Sequence, residues 1–218
     1  MKFRRWYAYL EELLNSITHG IGILLSIAGL VLLVVFASIR PYGDVWKIVS
    51  FSVYGSSLIL MFTASTLYHS FQNKKVKEFL NLLDHASIFI LIAGTYTPFM
   101  LVSLRGPWGW SIFGVIWGLA IAGVVFKLFF YTDRLRNISA IIYFLMGWII
   151  LIAIRPMIME VPTEGLLWLL GGCLLYSLGI PFYIKREKRF FHVIWHLFVL
   201  AGAITHFFSI FLYVLPDV

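Results

Sequence analysis

The chain has 218 residues, 61% of them hydrophobic and only 12% charged, about half the charged share of an ordinary water-soluble domain. A soluble fold has no way to hide that much apolar side chain, so lipid is the solvent. The net charge of +7 is scattered among short loops, which argues against a nucleic-acid surface and for topology-setting residues beside anionic lipid.

The basic opening MKFRR followed by an apolar run has the ingredients of a signal peptide. However, about a dozen mixed residues intervene, the run is of full spanning length and no small-residue cleavage site closes it, so it reads as retained. Within that opening Phe3, Trp6, Tyr7, Leu10, Leu13 and Leu14 recur at helical spacing, which suits a short helix lying in the membrane interface. Apolar stretches of about 20 residues, the length that crosses a hydrocarbon core as a helix, then follow in turn. They run from Ile17 to Ala37, Ile48 to Ser70, Leu82 to Leu104, Trp108 to Tyr131, Asn137 to Arg155, Thr163 to Ile184 and Phe191 to Val214. A transmembrane barrel would need short strands of alternating polarity, and the chain has no such alternation. The expectation is an all-α bundle of seven transmembrane helices, residues 1–218 forming one domain. Gly94, Pro98, Gly179 and Pro181 lie inside the third and sixth helices, where kinks are expected. Cys173, alone of its kind, cannot pair within the chain and reads as a small packing residue.

Lys and Arg set the orientation. With the N-terminus inside, the cytoplasmic segments hold Lys2, Arg4, Arg5, Lys74, Lys75, Lys77, Lys127, Arg134, Arg136, Lys185, Arg186, Lys188 and Arg189, thirteen of the 17 basic residues. Arg40, Lys47, Arg105 and Arg155 are left outside. The N-terminus is therefore expected in the cytoplasm and the C-terminus outside.

Polar residues inside membrane-spanning segments are costly, which makes function their default explanation. Ser65 and His69 close the second helix on its cytoplasmic side, one turn apart. Asp84 opens the third from the same side, and His192 and His196, again one turn apart, open the seventh. Residues distant in sequence thus share one inner layer. Two imidazoles one turn apart can hold one metal ion, and a third from another helix completes the three-ligand pattern that leaves a position for water. Zinc suits nitrogen ligands with one carboxylate nearby better than Mg²⁺ or Ca²⁺, and iron or copper would suit them too. The HxxxH spacing alone is weak, because neutral histidines also serve helix-end carbonyls.

His192-Val-Ile-Trp-His196 resembles the helix of zinc proteases without the glutamate that is their general base. Asp84 is then the candidate base, a carboxylate placed to take a proton from water at the metal. Ser65 is a candidate donor to that water or to an oxyanion. Serine in a membrane helix also bonds back to its own backbone, which is the competing explanation.

The motifs Glu12-Leu-Leu-Asn15-Ser-Ile-Thr-His19-Gly20, Ser65-Thr-Leu-Tyr-His69, Leu83-Asp84-His85 and His192-Val-Ile-Trp-His196 resemble the bacterial hemolysin III branch of the progestin and adipoQ receptor family, related to alkaline ceramidases. The resemblance runs from Glu11 to Phe208. It implies a seven-helix fold in the bacterial plasma (inner) membrane with Zn²⁺ bound near the cytoplasmic face by His69, His192 and His196. It further implies that Asp84 reaches the metal through water and that Ser65 is the serine of the first zinc motif.

Glu12, Asn15 and His19 share a helical face and are candidates for a layer that orients the ligands; capping and packing explain them equally well. His85 points to a different face from Asp84 and suits a packing or loop contact. His206, about 15 Å beyond His196 along the helix axis, is too far to share the ion. Two functions fit. One is a metal-dependent hydrolase of a lipid amide or ester, with a membrane lipid as its partner. The other is a sensor or regulator of membrane state with a structural zinc. No helix carries the polar stripe of a pore, and a transporter would place its ionisable groups at the midplane.

Overall fold

The computed structural model describes residues 2–39, 44–130 and 135–216, with the side chains of residues 2–5 and 136 left aside. Tyr131, the expected end of the fourth span, Arg40, Arg134 and Val218 lie outside the described residues. So do the side chains of Lys2, Phe3, Arg4, Arg5 and Arg136.

Among the described residues there are helices and turns only. They are α1 (Lys2–Ser38), α2 (Val45–Ser70), α3 (Lys74–Pro98), α4 (Pro107–Phe129), α5 (Arg136–Gly147), α6 (Ile154–Glu160), α7 (Thr163–Ile184) and α8 (Phe191–Tyr213). Seven segments are long and apolar enough to span a membrane, the fifth built from α5 and α6 together. Leucine, isoleucine, valine and phenylalanine cover the outer surface, from Leu24 to Leu212, as lipid contact requires. The chain is a seven-span, all-α membrane bundle.

Local chemistry sets the helix starts. Asp44 caps α2 by accepting from the Trp46 N–H at 2.8 Å. Asn73 caps α3 by accepting from Lys75 and Val76, so α3 begins about two turns before the apolar stretch that starts at Leu82. At the other end, the interfacial N-terminal stretch is helical but runs into the first span without a break. From Trp6 to Ser38 that helix has 33 residues, about 50 Å at 1.5 Å per residue, against a hydrocarbon core of about 30 Å. Its first turns therefore project beyond the core at the basic end of the bundle, the end that carries Lys74, Lys75, Lys77 and Lys185 to Arg189.

α1 packs between α2 and α8, α3 follows α2, α4 follows α3, and α7 packs on α8. α5 touches both α3 and α7, which leaves room between α3, α5, α7 and α8 for a cavity. Close approach of the helices depends on small residues. A Cβ on Gly94 would fall 2.2 Å from the Ser57 hydroxyl, and one on Gly179 would fall 2.7 Å from the Trp195 ring.

Two spans depart from regular α-helix. Pro98 has no N–H to give, and the helix opens after it into a π turn, Phe99–Ser103, closed by the Leu104 N–H on the Phe99 carbonyl at 2.8 Å. The sixth span, by contrast, runs past Gly179 and Pro181 as continuous α-helix; Pro181 lies in its last turn. The larger break comes in the fifth span, where α5 stops at Gly147 and a 3₁₀ segment, Ile149–Ala153, precedes α6. In lipid, backbone groups freed by such a break need an internal partner. Tyr96 of α3 supplies it: its hydroxyl accepts from the Ile150 N–H and shares its one proton between the Met146 and Gly147 carbonyls, each at 2.9 Å.

Tyr96→Phe keeps the ring and removes that hydroxyl. The expected loss of stability is about 1–3 kcal/mol, the cost of leaving a buried backbone group unpaired, measured as a lowered unfolding midpoint in detergent.

Candidate metal centre

The site lies at the basic end, where α2 finishes and α8 begins. His69 occupies the last turn of α2 and is 3% exposed; His196, on the second turn of α8, is 1% exposed. With His192 they form a cluster in which one ring nitrogen from each lies within 4.8 Å of the others. The rings are 4.6 to 5.1 Å apart between centroids, and the Nε2 atoms of His192 and His196 are separated by 3.2 Å.

Glu12 decides the orientation of His69. Its Oε2 accepts from the His69 Nδ1–H at 2.8 Å, which leaves the buried Nε2 lone pair of His69 without a hydrogen-bond partner among the described residues. The other carboxylate oxygen pairs with Lys77 at 2.9 Å. His19, about two turns along α1 from Glu12, stacks on His196 with centroids 3.7 Å apart and an 11° tilt, and meets the Phe62 ring edge to face at 5.0 Å. Asn15 is buried between them on the same helix. The face of α1 read from Glu12, Asn15 and His19 is thus turned toward the cluster.

Asp84 and Ser65 are brought to the same place without joining the cluster. Both line a cavity whose wall also contains His19, His192 and His196. Ser65 is 1% exposed. Its hydroxyl makes no hydrogen bond among the described residues, whereas Ser26, Ser52 and Ser70 all bond back to the carbonyl four residues earlier. Asp84 lies with one carboxylate oxygen 3.8 Å from His85 Nδ1. His85 itself donates to the Asn81 carbonyl, and its own carbonyl accepts from the Tyr143 hydroxyl, both at 2.8 Å.

From the histidines the cavity runs inward between apolar walls that include Leu91, Ile92, Phe99 and Val199, and reaches Cys173 and His206. His206 is outside the cluster and donates to the Leu169 carbonyl at 3.1 Å; the Cys173 thiol lies 3.9 Å from the same nitrogen.

Some contributors have no signature in the sequence. Lys77 reads there only as a topology residue, yet it neutralises the carboxylate that holds His69. Lys127 reads the same way and is wholly buried, 6.0 Å from the Tyr143 ring. Tyr143, Tyr183 and Trp195 form cavity wall, and aromatic residues are too common in this chain to stand out.

The arrangement suits a cation. Two nitrogens of a tetrahedral ion with metal–nitrogen bonds of 2.0–2.1 Å stand about 3.3 Å apart, close to the His192–His196 separation. A histidine whose other nitrogen is fixed by a carboxylate is the usual partner of such an ion.

Fold and geometry together define a seven-span membrane protein with a three-histidine cluster, His69 and His196 buried and His192 partly so, beside an apolar cavity. The chain belongs to the haemolysin-III related family, whose model matches residues 7–207. It is 47% identical over 206 residues to hemolysin-3 of Bacillus cereus, covering 94% of this chain and 93% of that one. The hemolysin-3 homolog of Bacillus subtilis is 46% identical over 203 residues, 93% and 94% of the two chains. Monocyte to macrophage differentiation factor of Homo sapiens is 30% identical over 210 residues, 93% of this chain and 84% of that one.

Glu12→Ala removes the anchor of His69. Metal affinity, measured by competition with a chromogenic chelator, is expected to fall by about ten- to a hundredfold, while His206→Gln leaves it unchanged.

Proposed function

We propose that this chain is a zinc-binding membrane protein that hydrolyses an amide or ester bond of a lipid, in the manner of a ceramidase, near the cytoplasmic leaflet of the bacterial plasma membrane. The observation that carries this reading is the convergence of three imidazole nitrogens, from the buried His69 and His196 and the partly buried His192, next to an apolar cavity whose wall includes His192 and His196. Nitrogen donors without a thiolate among them favour zinc over harder cations. When bound, zinc supplies Lewis acidity and lowers the pKa of water toward neutrality.

The chain's own residues fit the remaining tasks. Asp84, in the cavity wall beside the histidines, takes the proton from the attacking water. Ser65, whose hydroxyl is not spent on its own helix, donates to the oxyanion that develops on the scissile carbonyl. Glu12 keeps His69 in one tautomer. The apolar wall receives a chain of roughly 15 Å, the distance along α8 from His196 to His206, and excludes water around it. A long acyl substituent fits that space better than a compact polar substrate. The distribution of Lys and Arg supports a cytoplasmic location for this end of the bundle.

One observation favours a second reading, a structural zinc in a sensor of membrane state. His69 comes from α2 and His192 and His196 from α8, two helices that each lean on α1, so an ion there is also a cross-link.

The test uses detergent-purified protein, ceramide-like and phospholipid substrates, and Asp84→Ala beside wild type. Metal-dependent release of fatty acid by wild type, lost in Asp84→Ala with zinc retained, is the expected result. Zinc retained without turnover of any lipid supports the structural reading instead. Reporter fusions should place the Lys74 loop inside and Val218 outside; the reverse result would remove the leaflet assignment.

A further inference from the structure

The start of α8 is held in a conformation that its own residue disfavours. Phe190, immediately before the helix, has φ 61° and ψ 0°, and among the described residues it alone has positive φ without being glycine. A bulky aromatic side chain is a poor occupant of that left-handed region. Yet the Phe190 carbonyl is the first acceptor of the helix, taking the Ile194 N–H at 3.0 Å, and His192 follows two residues later. The direction in which His192 leaves the loop is therefore set at Phe190.

What holds Phe190 comes from α1. The Glu11 carboxylate accepts the Phe190 N–H. One turn earlier on the same face, the Tyr7 ring meets the edge of Phe190 and carries the Arg189 guanidinium 3.9 Å from its centroid. The next residue, Glu12, holds His69. Adjacent carboxylates on one turn thus grip the two sides of the cluster, Glu12 through the ring of His69 and Glu11 through the backbone that aims His192.

We infer that Glu11 is a positioning residue of the metal centre. By holding Phe190 in the left-handed conformation it sets where α8 begins and how closely His192 approaches His69. The turn of α1 from Tyr7 to Glu12 is then a clasp over the site, and not merely an interfacial anchor. The inference rests on the reading that the three histidines bind a metal. It also gives a reason for the unbroken helix, since a joint between the interfacial turns and the span would leave the clasp loose.

The test compares wild type, Glu11→Met, Glu11→Gln, Phe190→Gly and Glu11→Met/Phe190→Gly, purified in detergent. Met keeps the length and helix propensity of Glu but accepts no comparable hydrogen bond, whereas Gln keeps an acceptor oxygen. Zinc affinity by chelator competition and the visible bands of the Co²⁺ form are read together. Glu11→Met is expected to lose about ten- to a hundredfold in affinity, with altered Co²⁺ bands, and Glu11→Gln to match wild type. Glycine adopts the left-handed conformation without a holder, so the double variant should match Phe190→Gly alone. Wild-type affinity in Glu11→Met, or a double variant as weak as Glu11→Met, would overturn the inference. Wild-type protein that binds no metal defeats the metal reading separately. Glu11 is then judged by hydrogen exchange over Phe190–His196, which should quicken in Glu11→Met alone; no change there overturns its role.

Discussion

The 2.8 Å hydrogen bond from His69 to Glu12 is the contact on which the basic end of this bundle depends. An imidazole carries one proton when neutral, and the nitrogen that keeps it decides which nitrogen presents a lone pair. Because Glu12 takes the Nδ1–H, Nε2 of His69 must face inward, toward two further imidazoles whose Nε2 atoms are already 3.2 Å apart. Lone pairs gathered in so small a buried space are costly without a shared proton or cation. Lys77 keeps the arrangement tenable from the outside by pairing with the second carboxylate oxygen.

The other half of the molecule answers a different constraint, that of lipid as solvent. Breaking a helix in a membrane frees backbone groups that water cannot reach. The fifth span breaks nonetheless, and the Tyr96 hydroxyl restores the lost partners from the facing helix. The irregular third and fifth spans flank the cavity that begins at the histidines, and Tyr96, Phe99 and Ile150 are part of its wall. The same departures from regular helix that demand compensation shape the apolar cavity.

Much of this was legible in the residues. Apolar runs of spanning length follow directly from the thickness of the bilayer, so the seven spans could be read one by one. His69, His192 and His196 could be placed at one depth because alternate helix ends share a leaflet and one-turn spacing puts residues on one face. Glu12, Asn15 and His19, grouped by their helical spacing, lie on the face of α1 that meets His69 and His196. What could not be read were features decided by tertiary contact. Gly147 does not announce a break as proline does, and the break is sustained by a tyrosine fifty residues away in the chain. Pro181 is a kink signal, but in the last turn of α7 little helix remains to bend. The strain at Phe190 is invisible because phenylalanine is among the last residues expected at positive φ. Lys77 looks like any other loop-end lysine until Glu12 is seen beside it.

X-ray absorption at the metal edge of the purified protein tests the central claim most directly, because it reports the identity of the ion and its nearest atoms without reference to any substrate. Zinc with three imidazole nitrogens and one oxygen at about 2.0–2.1 Å is the expected result. Protein without bound metal, or a metal surrounded by oxygen ligands with no imidazole scattering, would contradict it.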